Sequence, residues 1–276
     1  MDTVHFVEEQ CIVGTDPWQL PGTLTWPRGE GPFPAIVLVH GSGPNDRNET
    51  IGPNKPFRDL ALGLASRGIA VLRYDKRAHV YPGAMAALSD PTVFDETIAD
   101  ATYAVAYLRE DPRIEPRAIY ALGPSLGGYL MPRILDLVPE LAGAILWAAS
   151  FRPLDIIIQE QVAYVAGLPE TPVEAKNVLQ AMDTEARKIR SMALDPEQSS
   201  TWRALGVPAS YWRDLASYDP GLTVAGSARP LLVLWGDADY QVTAEDFALW
   251  KKICRKLAEG PIQAICSSQP LFFAHR

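Results

Sequence analysis

Sulfur, histidine and long apolar runs are all scarce in this sequence. Three cysteines, Cys11, Cys254 and Cys266, are scattered through 276 residues with no C-x-x-C pair. An odd count at that spacing argues against a disulfide framework or a thiolate metal cluster and reads as reduced thiols in a cytoplasmic protein. The four histidines, His5, His40, His79 and His275, form no ligand cluster, so no metal is expected. The longest apolar runs, 35–39 and 231–235, fall far short of the ~20 residues that a membrane-spanning helix needs. Residues 1–10 carry Asp2, His5, Glu8 and Glu9 where a signal peptide would have a basic start and an apolar stretch. Positive charge is also short: 25 Lys and Arg stand against 33 Asp and Glu, a net charge of −8. Such a balance repels phosphate backbones and anionic lipid, so neither nucleic acid nor membrane is expected as a partner. The basic run Lys251, Lys252, Arg255 and Lys256 has the spacing of one solvated helix face.

What is present is an alternation. Short aliphatic runs at 35–39, 69–73, 118–122, 142–147 and 230–235 read as strands buried on both faces of a parallel sheet. Helix-length stretches at 55–67, 93–110, 126–137 and 244–259 separate them, which predicts an α/β layer architecture. Residues 4–13 and 20–26, split by a turn signal at 14–17, read as an antiparallel pair on the sheet edge. The stretch 151–226 breaks the rhythm. It is helical in pattern, with Val178, Met182, Ile189 and Met192 near helical spacing, and shows no convincing strand. Too long for a plain crossover, it is expected to be a helical cap inserted in a body formed by 1–150 and 227–276. Its aromatic residues Trp202, Tyr211, Trp212 and Tyr218 either line a pocket or pack the cap onto the body.

Two glycine-rich segments carry the chemistry. Gly123-Pro124-Ser125-Leu126-Gly127-Gly128 matches G-x-S-x-G between a strand and a helical run, where a sharp turn lifts a nucleophile above the sheet and needs small neighbours. The helix that follows offers free N–H groups to a developing negative charge. His40-Gly41-Ser42-Gly43-Pro44 follows an earlier strand. Acyl transfer needs one backbone donor after the nucleophile and one from an earlier loop, which points to the N–H groups of Leu126 and Ser42. After the cap, Gly236-Asp237-Ala238-Asp239-Tyr240-Gln241-Val242 ends the last long apolar strand. Asp237 is close enough to the strand to hold the turn, and Asp239 lies farther out, so Asp239 is preferred as the acid. Arg47, Lys76 and Arg77 either recognise a substrate carboxylate or pair with Asp46 and Asp75; local pairing is expected.

Residues 39–57, the run Arg73-Tyr-Asp-Lys-Arg77 with Tyr81-Pro82, and residues 236–247 together resemble the α/β-hydrolase superfamily, in particular bacterial esterases of the serine aminopeptidase and dienelactone hydrolase groups. The resemblance implies a mostly parallel sheet flanked by helices, a small-molecule ester as substrate, hydrolysis without a cofactor, and a triad in the chain order Ser, acid, His. His275 alone among the histidines follows Asp239, so the implied triad is Ser125, Asp239 and His275. Two positions depart from the family pattern. Pro124 replaces the usual His before the nucleophile, and Pro270 stands where an Asn-His-Leu-Phe-like run has its His. A serine carboxylesterase acting on small acyl esters is expected; the same residues serve a peptidase, thioesterase or lactone hydrolase, and an altered C-terminal region leaves open an impaired hydrolase.

Overall fold

A computed structural model of the chain describes residues 5–193, 202–227, 229–258 and 264–268. Its first strands, β1 (Phe6–Val13) and β2 (Leu20–Pro27), form the expected antiparallel edge pair. β3 (Phe33–Leu38), α1 (Pro56–Ala65) and β4 (Ala70–Tyr74) begin the alternation. Two short helices follow, α2 (Arg77–Val80) and α3 (Pro82–Ala86). A π-helical turn, Phe94–Ile98, then runs into α4 (Ala99–Glu110). β5 (Ile114–Pro124), α5 (Ser125–Leu137) and β6 (Gly143–Trp147) complete the first part of the sheet.

Between β6 and the next sheet strand lie α6 (Leu154–Gly167), α7 (Val173–Ala193), a two-residue hairpin of β7 (Arg203–Ala204) and β8 (Val207–Pro208), α8 (Ala209–Ala216) and α9 (Pro220–Ala225). β9 (Leu231–Trp235), α10 (Ala244–Ala258) and β10 (Ala264–Ser268) return to the body. The eight-stranded sheet has the order β1-β2-β4-β3-β5-β6-β9-β10, and every pair from β4 to β10 is parallel. The expected strands and long helices are thus present to within a few residues at their ends.

Strand burial explains the layering. β4 is buried along its whole length, and β3 sends Ala35 and Val37 to one face and Ile36 and Leu38 to the other. Alternating side chains on a strand point to opposite faces, so an uninterrupted apolar run needs helices on both. On one face α1 contributes Phe57 and Ala61; on the other α4 and α5 contribute Ala104, Leu108, Leu130 and Ile134. At the free edge β1 keeps Glu8, Glu9 and Gln10 exposed, which discourages pairing with a second sheet.

Two sequence readings of the inserted segment are corrected. It does contain strands, β7 and β8, whose two residues each are too few to show a period. In α7 only the later members of the expected apolar stripe are buried: Ile189 and Met192 join the core, while Val178 and Met182 are exposed. The segment is anchored at its start. Oδ1 of Asp246, on α10, accepts hydrogen bonds of 2.8 Å from the backbone N–H groups of Phe151 and Arg152. The Arg152 guanidinium reaches Asp246 at 2.7 Å and Glu160 at 2.6 Å.

Candidate active site

The turn from β5 to α5 is built around close backbone contacts. Ser125 opens α5 with φ at +48°, a left-handed conformation that costs a non-glycine residue on the order of 1–3 kcal/mol. A Cβ on Gly123 would lie 2.6 Å from the Gly127 carbonyl carbon, and one on Gly127 would lie 2.5 Å from the Val39 carbonyl oxygen. Neither position has room for a side chain, so the G-x-S-x-G spacing is a steric requirement here. The first-turn N–H groups of α5, Leu126 included, have no intrahelical acceptors, and Pro124 provides no side-chain cap for them. Pro124 itself is extended, at φ −82° and ψ 155°, a conformation that proline favours.

The loop after β3 lies against this turn. A Cβ built on Gly41 would come 3.7 Å from the Ser125 Cβ, so the Gly41–Ser42 peptide sits beside the candidate nucleophile. His40 is buried and fully engaged, with Nδ1 2.6 Å from a Glu49 carboxylate oxygen and Nε2 2.5 Å from the Tyr74 carbonyl. Because a carbonyl only accepts, Nε2 carries a proton, and His40 acts as a strut rather than a base. Glu49 also accepts from the Gly41 N–H at 3.3 Å and from the Asn45 amide at 3.1 Å.

The third loop follows β9. Asp239 Oδ1 accepts the backbone N–H groups of Gln241 at 2.8 Å and Val242 at 3.1 Å. Burial nonetheless lifts its carboxyl above the usual range, against the opposing pull of the Val242 and Gln241 amides. Asp237 is exposed on the outside of the same turn. The turn-holding role expected of Asp237 therefore falls to Asp239.

Ser42, Ser125 and Asp239 line one cavity of about 810 Å³, closed on another side by Leu154, Ile158, Val207, Tyr211 and Trp212 of the inserted segment. The size suits a small organic molecule and the wall is largely apolar. Leu126 is buried beneath it, within the first turn of α5. His275 lies outside the described residues, as does Pro270. Both readings of the inserted aromatics hold, for different rings: Tyr211 and Trp212 line the cavity, whereas Tyr218 packs edge-on against Tyr129 at 5.1 Å.

Residues 36–266 match the model of the alpha/beta hydrolase family. The chain belongs to that family. Within the alpha/beta hydrolases it is similar to the esterase EstD of Thermotoga maritima, at 42% identity over 257 residues. That match covers 91% of this chain and 57% of the relative, so the chain spans little more than half the relative's length. Solved structures of the fold include Est1E from Butyrivibrio proteoclasticus, with a TM-score of 0.58, 17% identity, and coverage of 95% of this chain and 88% of that one. The acylaminoacyl peptidase of Pyrococcus horikoshii gives a TM-score of 0.58 at 16% identity, covering 97% of this chain and 37% of that one. Among the described residues no helix is long and apolar enough to cross a membrane, and no cluster of potential metal ligands occurs.

The charged residues near the site pair differently from expectation. Arg47 does meet Asp75, at 2.8 Å. Lys76 instead pairs with Glu96 at 2.8 Å and Arg77 with Asp100 at 2.5 Å, while Asp46 accepts from Thr50 at 2.8 Å. Both basic side chains run inward, and buried charges select partners by fold rather than by sequence distance. Sequence reasoning missed Glu49, Glu96 and this inward turn of Lys76; the only available signal was a run of charges directly after a buried strand.

Proposed function

We propose that this alpha/beta hydrolase is a serine carboxylesterase acting on small acyl esters through an acyl-enzyme. One observation carries the reading: Ser125, held at a strained strand-to-helix turn, shares a cavity with Ser42 and Asp239. In the proposed cycle Ser125 Oγ attacks the ester carbonyl carbon while His275 takes the hydroxyl proton. The N–H groups of Ser42 and Leu126 hold the resulting oxyanion. Collapse breaks the bond to the alcohol oxygen, which leaves with the proton from His275. Water then attacks the acyl-enzyme and gives a proton to His275, which passes it to Ser125 Oγ as the bond to the acyl carbon breaks and the carboxylic acid leaves. Asp239 orients the imidazole. The inserted helices act as a cap whose apolar wall selects the acyl and alcohol groups. No cofactor takes part in this cycle, and a cytoplasmic setting, suggested by the odd number and wide spacing of the cysteines, belongs to the same proposal.

The esterase name of the Thermotoga relative supports ester over amide chemistry. Hydrolysis of p-nitrophenyl acetate and butyrate by the whole chain, with Ser125→Ala as control, tests the proposal. Turnover is expected in the parent and none above background in the variant, and a fluorophosphonate probe is expected to label only the parent. Equal turnover in both proteins overturns it.

A further inference from the structure

Lys76 has almost no contact with solvent, being 1% exposed, yet it stands within the group of residues around the candidate oxyanion donors. Its Nζ donates to the Gly41 carbonyl at 2.8 Å. The peptide that follows Gly41 is trans, since the cis bonds of the described residues are Asp16–Pro17 and Gly31–Pro32. In a trans peptide the C=O and the next N–H point in opposite directions. Drawing the Gly41 carbonyl towards Lys76 therefore turns the Ser42 N–H the other way, and Ser42 lines the cavity. Among the described residues this N–H donates to no protein acceptor. The preceding N–H, that of Gly41, is taken by Glu49. Gly41 is thus held at both its N–H and its C=O, in two consecutive peptide units, and the Ser42 N–H is left over.

The grip extends to the inserted helices. The Lys76 ammonium is balanced by Glu96 Oε1 at 2.8 Å, and Glu96 Oε2 accepts from the Tyr211 hydroxyl at 2.7 Å. Tyr211 lies on α8, where the adjacent Ser210 hydroxyl donates to the Pro91 carbonyl at 2.8 Å. Glu96 thus stands between a residue of the cavity wall and the lysine that holds the Gly41 carbonyl. A half-buried carboxylate with two charge-assisted partners keeps its geometry only while both are present, because losing one leaves a partly desolvated charge to rearrange.

We propose that Lys76 is a positioning residue for the oxyanion site, and that Glu96 and Tyr211 connect it to the wall of the substrate cavity. Lys76 aims and polarises the Gly41–Ser42 peptide, and Tyr211 fixes the carboxylate that fixes Lys76. The inference rests on the reading of Ser125 as nucleophile and of Ser42 as oxyanion donor. It carries a consequence for specificity: a substrate group that settles against Tyr211 also steadies the oxyanion donor, so part of its binding is expressed in kcat rather than KM.

Tyr211→Phe is the most selective test, because it keeps the ring that lines the cavity and removes one hydroxyl. With p-nitrophenyl butyrate, kcat is expected to fall about tenfold with KM unchanged. The inhibition constant of a trifluoromethyl ketone, which forms a tetrahedral oxyanion on the nucleophile, is expected to rise by the same factor. Lys76→Met is expected to cost about 10²- to 10³-fold in kcat, the range for losing one oxyanion donor. If Lys76→Met does not fold, Tyr211→Phe decides alone. Unchanged kcat in Tyr211→Phe, or a loss confined to KM with the ketone unaffected, overturns the proposal. Ser125→Ala separates the two levels: turnover retained there removes the underlying nucleophile, whereas an inactive Ser125→Ala beside a fully active Tyr211→Phe removes only the connection through Lys76.

Discussion

Single atoms distinguish the two candidate aspartates. Asp237 and Asp239 are two residues apart in one turn, but Asp237 is exposed while Asp239 lines the cavity and has one oxygen occupied by two amides. With Oδ1 held in this way, Oδ2 is the oxygen that meets the imidazole in the proposed triad. Asp239→Asn is expected to lower kcat on p-nitrophenyl butyrate by roughly 10³- to 10⁴-fold, as happens when the orienting acid of a triad becomes an amide. Asp237→Asn is expected to match the parent within about twofold. Steady-state kinetics on the pair checks this, and a reversed order would assign the acid to Asp237. The sequence brings both acids to the end of the strand and prefers the outer one; it cannot show that the outer one also ties the turn. Lys76 marks where residue-level reading runs out. Its sequence neighbour Asp75 looked like a partner, but its ammonium turns inward to Glu96, brought close only by the fold.

Elements were legible where burial forces a period and illegible where it does not. β3, β4, β6 and β9 were readable because strands covered on both faces are mostly apolar, Arg73 of β4 being the charged exception. α2, α3 and the individual strands β7 and β8 have five residues or fewer each, too short for any period to emerge. The root of the inserted segment is likewise a matter of contact rather than pattern. Asp246 is wholly buried, and both amides at the start of the segment, together with the Arg152 side chain, converge on it. Asp246→Ala strands two N–H groups and a guanidinium, so a loss of about 3–5 kcal/mol is expected in urea unfolding. A loss below about 1 kcal/mol would show that the anchor lies elsewhere.

For the whole molecule, the buried pair Arg77 and Asp100 sets a dependence on pH. Burial raises the Asp100 carboxyl from 3.8 to about 6, a rise that the adjacent Arg77 only partly offsets. The folded state then holds this proton more tightly than the unfolded chain. Between about pH 4 and pH 6 the folded form still carries a proton that the unfolded form has released, so stability from this group falls as pH rises and levels off above. Asp111 acts in the opposite direction. The Arg113 hydrogen bond lowers its carboxyl, and the stability it contributes is lost only as pH falls below the usual value of 3.8. Unfolding free energies from urea titrations at every half pH unit are expected to decline across the window by on the order of 2 kcal/mol in the parent. Asp100→Asn, neutral throughout, is expected to remove that decline, and an equal slope in both proteins would refute the assignment. Nothing in composition or motif pointed to this pair, since the sequence placed neither charge in the interior.

The neighbouring places of β3, β5, β6 and β9 in the sheet have a further meaning. Ser125 and Asp239 are carried by strands separated by β6, so their spacing is set by two hydrogen-bonded registers, Tyr120 against Gly143 and Ala144 against Leu231. A slip of one residue in either would move one group by about 3.3 Å along its strand and turn its side chains to the wrong face. The ruler that measures the distance between Ser125 and Asp239 is therefore the backbone ladder itself, graduated in whole residues. Substitutions that alter side chains on β6 can loosen the core, yet they leave those graduations where they are.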